Sequence, residues 1–192
     1  MSERNNNHIA LAVDLDGTLL CGDMLHLSLW RLLTRNPLYL LCLPVWLLAG
    51  KAALKRQIAR RVSVDPAQLQ YHQEILAFVR EQHAMGRRTV LASGSDQRLV
   101  APVAEYLGCF DLVFASDGNN NRTGHDKQAM LVGEFGVGGY DYIGNSLVDI
   151  PVWQAAHQVL VAASSRRFSQ AIERQFQVER VFWRQRSRGR AG

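Results

Sequence analysis

Cysteine is scarce in this chain: Cys21, Cys42 and Cys109 are the three in 192 residues, and none forms a C-x-x-C pair. That spacing excludes a disulfide framework and a thiolate zinc site as the organising element. The first seven residues place no apolar segment behind a basic one, so they do not read as a secretory leader, and Asn5–Asn7 reads as a frayed lead-in. A membrane-length apolar run is also missing. The greasiest stretch, Leu38 to Ala49, covers roughly a dozen residues against the ~20 that a crossing needs. Acids are few toward the end, where Glu173 and Glu179 are the two that follow Arg166. The chain carries a net charge of +5 and a sequence pI near 9.4, and its hydrophobic content of 47% suits one domain with a real core. The location that follows is cytoplasmic, with the inner face of the membrane as a second place.

The end of the chain, 166–192, reads as a basic tail. Its last stretch, Arg184-Gln-Arg186-Ser-Arg188-Gly-Arg190, attracts polyanions, whether nucleic acid or an anionic membrane surface, or is a solvated end or a linker. Few aromatics are interleaved with these bases and no reading motif accompanies them, which argues against nucleic acid.

Chemistry starts at His8-Ile-Ala-Leu-Ala-Val-Asp14-Leu-Asp16-Gly17-Thr18-Leu-Leu20. Ile9–Val13 is short and apolar throughout and reads as a buried parallel strand. Polar residues emerge at its carboxyl end, where open α/β sheets place their ligands. Asp14 and Asp16 share one side by the period of two. Two carboxylates so close repel unless a cation or a shared proton lies between them, and Mg²⁺, which favours one or two carboxylates plus a substrate phosphate, meets that demand. Gly17 lets the backbone turn tightly around a ligand. The plainer reading of the same string is a strand end whose acids cap backbone amides.

Residues 21–79 read as a helical insertion, between core segments 1–20 and 80–165. A helical pattern from Cys21 leads into the apolar run, which Pro37 and Pro44 break into short pieces, and Lys51, Lys55, Arg56, Arg60 and Arg61 follow. An apolar knob beside basic residues suits an interfacial membrane segment; a cap helix packed on the core looks the same in sequence. An insertion at this point lies over the carboxyl ends of the sheet and can close the site and select substrate. His26 and Arg31 are positioned to reach in from it, and its greasy content suits a substrate with a lipid tail. One helix is expected to begin at Asp65-Pro66 and end near Met85-Gly86.

Three further apolar strands end in polar residues. Arg87–Ala92 runs into Ser93-Gly94-Ser95-Asp96, whose hydroxyls and amides are placed either to bind phosphate oxygens or to cap the helix expected over 97–107. Phe110–Ser116 leads through a loop at 119–126 to a helix opened by Lys127. Tyr140–Ile143 leads to Gly144-Asn145-Ser146-Leu-Val-Asp149. With a helix over 152–159 and a last strand at Val159–Ala163, the alternation gives a doubly wound, Rossmann-like parallel sheet carrying a small helical cap.

In this order the four stretches resemble the motifs of the haloacid dehalogenase superfamily of phosphatases. The resemblance implies Asp14 as nucleophile through an aspartyl-phosphate and Asp16 as general acid and base. It implies Lys127 as the charge that offsets nucleophile and phosphate, and Thr18, Ser93, Gly94 and Ser95 with Lys127 as substrate contacts. It implies a Mg²⁺ shell of Asp14, Asp16, Asn145 and Asp149. The sequence departs from the pattern at Asn145, where the superfamily carries an acid. One negative charge is lost there, so metal affinity falls. A weakened enzyme and a module that binds lipid phosphate or a partner without turnover both follow from that departure. A narrower similarity, over Val13 to Ala163, is to the soluble domain fused ahead of UbiA-type prenyltransferases, and it implies a polyprenyl-linked or sugar phosphate as substrate and a prenyltransferase as partner.

Overall fold

The structure is a computed structural model and describes residues 9–117 and 123–183. The loop residues 118–122 and the basic stretch 184–192 lie outside the described residues. Six strands form one sheet: β1 (Ala10–Val13), β2 (Thr89–Asp96), β3 (Leu112–Ser116), β4 (Tyr140–Gly144), β5 (Val159–Ala163) and β6 (Val178–Trp183). Their spatial order is β3-β2-β1-β4-β5-β6, and every pairing is parallel. This is the expected doubly wound sheet, and the order turns back on itself at β1 and β4, where such sheets bind ligands.

Eight helices accompany the described strands. They are α1 (Met24–Arg35), α2 (Leu43–Leu48), α3 (Lys51–Ala59), α4 (Gln73–Ala84), α5 (Gln97–Leu107), α6 (His125–Phe135), α7 (Ile150–Ala155) and α8 (Arg166–Glu173). Alternate residues of β1 go to opposite layers. Leu11 and Val13 join Ile75 and Val79 of α4 and Val100 and Val103 of α5, while Ala10 and Ala12 join Leu131 of α6, Trp153 of α7 and Ile172 of α8. Asp14 continues the register of Ala10 and Ala12, and this turns its carboxylate toward α6.

At the opposite end of the sheet Arg87 is buried and holds three elements together. Its Nε donates to the carbonyl of Ile9 at 2.8 Å, its Nη1 to Gln82 Oε1 at 2.9 Å, and its Nη2 to buried Asp141 of β4. A buried charge is tolerable only when paired and hydrogen-bonded in this way.

The presumed tail is structured up to Trp183. Residues 166–173 form α8, and 178–183 form a sixth strand pairing with β5. The arginines conceal an amphipathic pattern in which Ile172 is buried and Phe168 and Phe176 pack on the α6–α7 layer. Phe182 is wholly buried on the other side, its ring centroid 5.5 Å from that of Phe78. The long helix expected over 65–85 is two pieces. Asp65 caps a short turn over Pro66–Gln68, Tyr71 bridges to Leu20, and α4 starts afresh with His72 as its cap. The backbone N–H of His72 donates to the carbonyl of Leu19, which holds the chain extended at that point. Ile75, Leu76 and Val79 of α4 pack with the sheet, so the segment taken as cap to residue 79 rejoins the core at α4. The cap proper, α1–α3, has its own small cluster of Leu32, Ile58 and Val62. Among the described residues no helix is long and apolar enough to cross a membrane.

Candidate active site

Past Val13 the chain makes one wide turn over Leu15–Leu19, and only glycine fits at its centre. Gly17 has φ 75°, and a Cβ there would stand 2.2 Å from Asn145 Nδ2. At the end of β4 a Cβ on Gly144 would fall 2.8 Å from Asp149 Oδ2. Gly17 thus lets the loops after β1 and β4 close on each other, and Gly144 lets the second loop fold back over its own strand end.

Asp14 and Lys127 meet across this junction. Lys127 Nζ donates to Asp14 Oδ1 at 2.6 Å and to the Tyr142 hydroxyl at 2.8 Å, and both charged side chains are buried. The hydroxyl of Thr18 donates to Asp14 Oδ2 at 3.2 Å. Burial pushes the Asp14 carboxyl up, Lys127 pulls it down, and Asp149 and Asp16 push it up again, leaving it at about 7. Burial alone depresses the Lys127 ammonium, but Asp14 and Asp149 outweigh it and hold the group above its ordinary range.

Asp16 is held by the cap and by β2. Its Oδ1 accepts the N–H of Met24 at 2.7 Å, and its Oδ2 accepts the hydroxyls of Ser95 at 2.7 Å and Ser93 at 3.1 Å. Between Ala92 and Asp96 strand β2 bulges away from β3, which brings those hydroxyls to Asp16. Burial raises the Asp16 carboxyl, and the three hydrogen bonds offset part of that rise. Asp96 caps α5 by accepting from the N–H of Arg98 at 3.0 Å.

Asp149 organises the fourth loop. Its Oδ2 accepts the N–H groups of Asn145 and Ser146, each at 3.1 Å, and its Oδ1 accepts the Tyr142 hydroxyl at 2.8 Å. Burial, with Asp149 and Asp14 nearby, pushes the Tyr142 phenol far up, so it stays a neutral donor.

A cavity of about 320 Å³ opens over these groups, lined by Asp14, Asp16, Gly94, Lys127, Asn145 and Asp149 among others. It gathers most of the residues expected from sequence. Thr18 is placed differently: it is wholly buried and supports Asp14 from behind, where substrate cannot reach it. Ser93 and Ser95 point their hydroxyls at Asp16 rather than outward. His26 and Arg31 do not enter. His26 is exposed beside Asp23, and Arg31 donates to the carbonyl of Ser63 at 3.3 Å and to Gln68 at 3.1 Å.

Lys55 and Tyr142 also enter the arrangement, although no sequence motif marks them. Lys55 of α3 donates to the carbonyl of Gly94 at 2.6 Å, and burial lowers its ammonium despite the pull of Asp16 and Asp23. Nothing in the sequence separates it from the bases around it. Tyr142 could have been singled out, because a tyrosine inside a buried parallel strand needs a partner for its hydroxyl.

The donor chemistry fits a hard divalent cation. Carboxylates of Asp14, Asp16, Asp23 and Asp149 face the ammonium groups of Lys127 and Lys55, and burial first, with neighbouring carboxylates second, raises Asp14 and Asp16. Asp149 spends its oxygens on the loop, on Tyr142 and, at 3.5 Å, on the Lys127 ammonium. Among the described residues no three His, Cys, Asp or Glu side chains form a ready metal cluster. A set completed by main-chain and amide oxygen is one that Mg²⁺, which keeps several waters, accepts.

A carboxylate pair and a buried lysine at the switch point of a doubly wound sheet define a hydrolase-type centre beneath a helical cap. The chain belongs to the haloacid dehalogenase-like hydrolases, whose family model matches residues 11–154. It is 33% identical over 165 residues to the uncharacterized protein y4nM of Sinorhizobium fredii; the match covers 85% of this chain and 32% of that protein, so the chain spans about a third of the length of that relative. Its fold is similar to that of the HAD family hydrolase t0658 of Salmonella enterica serovar Typhi, with a TM-score of 0.63, 14% identity, and coverage of 91% of this chain and 67% of that one. It is also similar to a phosphoserine phosphatase solved as a phospho-aspartyl intermediate analogue, with a TM-score of 0.58, 12% identity, and coverage of 92% and 93%.

Proposed function

We propose that the protein is a magnesium-dependent phosphomonoester hydrolase working through an aspartyl-phosphate. The observation that carries this reading is the buried contact of Lys127 Nζ with Asp14 Oδ1, two residues before an acid held by hydroxyls. In the first step an Asp14 oxygen forms a bond to phosphorus and the phosphorus–ester bond breaks, with its electron pair going to the leaving oxygen. Asp16 gives that oxygen its proton. In the second step water adds to phosphorus, Asp16 takes the water's proton, and the phosphorus–Asp14 bond breaks to release phosphate. Lys127 stabilises the charge that gathers on the phosphoryl oxygens. A magnesium ion held by the Asp14 carboxylate, the Asp16 carbonyl and the Asn145 amide oxygen would screen the phosphate from its anionic nucleophile. Asp149 positions that loop and, through Tyr142, the lysine. The substrate class we extend this to is a sugar or polyprenyl-linked phosphate. The motivation is the similarity to the domain that precedes UbiA-type prenyltransferases, with such an enzyme as partner.

The test is phosphate release from sugar phosphates and prenyl phosphates across a magnesium titration, with Asp14→Asn beside the native protein. Asp14→Asn is expected to lose turnover by about a thousandfold or more while keeping its melting temperature within a few degrees. Turnover that survives the change would remove Asp14 as nucleophile.

A further inference from the structure

The cap carries a surface that the reaction does not use. α2 packs chiefly on α3 and on the turn over Pro37–Leu41, leaving Leu38, Leu41, Val45 and Leu48 between two-thirds and nine-tenths exposed. Soluble surfaces rarely gather so many large apolar groups within one short segment, and such patches mark interaction sites. Leu40 and Leu47, also more than half exposed, extend this patch and line a groove of about 550 Å³ between α1, α2 and α3. The charge around it has one sign. No acid occurs between Asp23 and Asp65, whereas Arg35, Lys51, Arg60 and Arg61 are all exposed. The Arg61 guanidinium lies 4.8 Å from the ring centroid of Trp46 and 5.7 Å from that of Tyr39, which places a cation at the aromatic margin of the patch.

We propose that the cap docks on an anionic bilayer, with the turn over Pro37–Leu41 and α2 entering the headgroup region and the surrounding bases meeting lipid phosphates. Leucines flanked by lysine, arginine and tryptophan, on a segment too short to span, are the chemistry of interfacial binding. From Pro37 to Leu48 the side chains offer a protein partner little to hydrogen-bond with, since Tyr39, Cys42 and Trp46 are the three that carry a polar hydrogen. The inference stands apart from the catalytic reading, because binding is measured without turnover.

The experiment is co-sedimentation of the full chain with phosphatidylcholine vesicles, with and without phosphatidylglycerol, at low and high salt. Three proteins are compared: native, Leu41→Glu/Leu48→Glu, and Arg184→Gln/Arg186→Gln/Arg188→Gln. The native chain is expected to pellet with the phosphatidylglycerol vesicles, less at high salt, and the leucine double variant to lose about tenfold in binding. Both leucines are exposed, so an unchanged melting temperature will show that the variant is folded. The arginine variant is expected to keep most of its binding. The proposal is overturned if the native chain stays in the supernatant at low salt. It is equally overturned if the leucine variant binds as well as native while the arginine variant does not, or if light scattering without lipid shows a dimer that Leu41→Glu/Leu48→Glu dissolves while vesicles capture nothing.

Discussion

Lys55 Nζ lies 2.6 Å from the carbonyl oxygen of Gly94, so the cap reaches into the bulge of β2 that presents Ser93 and Ser95 to Asp16. The lysine comes from α3, next to Leu54 in the cap's apolar groove, and it joins the two parts of the molecule at the rim of the cavity over Asp14 and Asp16. Hydrogen bonds from charged donors contribute about 1.5–3 kcal/mol, and this one also brings positive charge to where a phosphate would lie. Lys55→Met is expected to raise KM for phosphorylated substrates about tenfold with a smaller change in kcat. Steady-state kinetics check this, and an unchanged KM would make the contact purely structural.

The state of Asp14 makes stability depend on pH in a definite direction. In the folded, metal-free protein its carboxyl titrates near 7, against an ordinary value of 3.8. The folded state therefore holds a proton that the unfolded chain has lost across that window. Asp14's contribution is complete below about 4 and lost as pH rises through about 7, so the metal-free melting temperature is expected to fall from pH 5 to pH 8. Asp16 acts in the same direction. Protons and magnesium compete for Asp14, so added magnesium will raise the melting temperature more at pH 8 than at pH 6. Thermal melts at the two values, with and without the ion, read both effects.

Asn145 lies against Gly17 at the junction of the two loops. Asn145→Asp restores a carboxylate at nearly constant volume and is expected to lower the magnesium concentration for half-maximal activity by about tenfold. Activity that appears only in this variant would favour a natural domain that binds phosphate without turning it over.

Arg87 offers a test of the fold. Removing one partner of a buried ion pair costs about 3–5 kcal/mol, because the remaining charge is stranded. Arg87→Met leaves Asp141 with His157, whose Nδ1 is 3.0 Å from Asp141 Oδ1, as its neighbouring side-chain partner. A loss of about 3 kcal/mol in urea unfolding is expected. The double variant Arg87→Met/Asp141→Leu is expected to recover part of it.

Strands β1 to β5 were legible because each is an apolar run that stops at a polar residue. β6 was not. Val178-Glu-Arg-Val-Phe-Trp is an edge strand with one side open, so Glu179 and Arg180 interrupt its pattern, and the arginines of α8 hide Ile172 in a stretch that looks like a charged end. In the site, the order of Asp14, Ser93, Lys127 and Asp149 along the chain was readable, since three lie at or just past strand ends and Lys127 opens the helix after β3. The directions of their side chains were not. That Thr18 stands behind Asp14, that both serine hydroxyls turn to Asp16, and that Lys55 rather than His26 or Arg31 reaches inward all depend on a bulge and on helix packing that no local pattern records.

The late arrival of Phe182 has a kinetic consequence. Its ring packs on Phe78 in the cluster that also holds Leu11 and Val13, and His72 at the start of α4 lies 3.1 Å from the carbonyl of Trp183. Contacts that join residues about a hundred positions apart slow folding, because a long loop must close before they form. During synthesis the first strand and α4 emerge well before the residue that covers them. The nascent domain must keep that face shielded until its sixth strand leaves the ribosome.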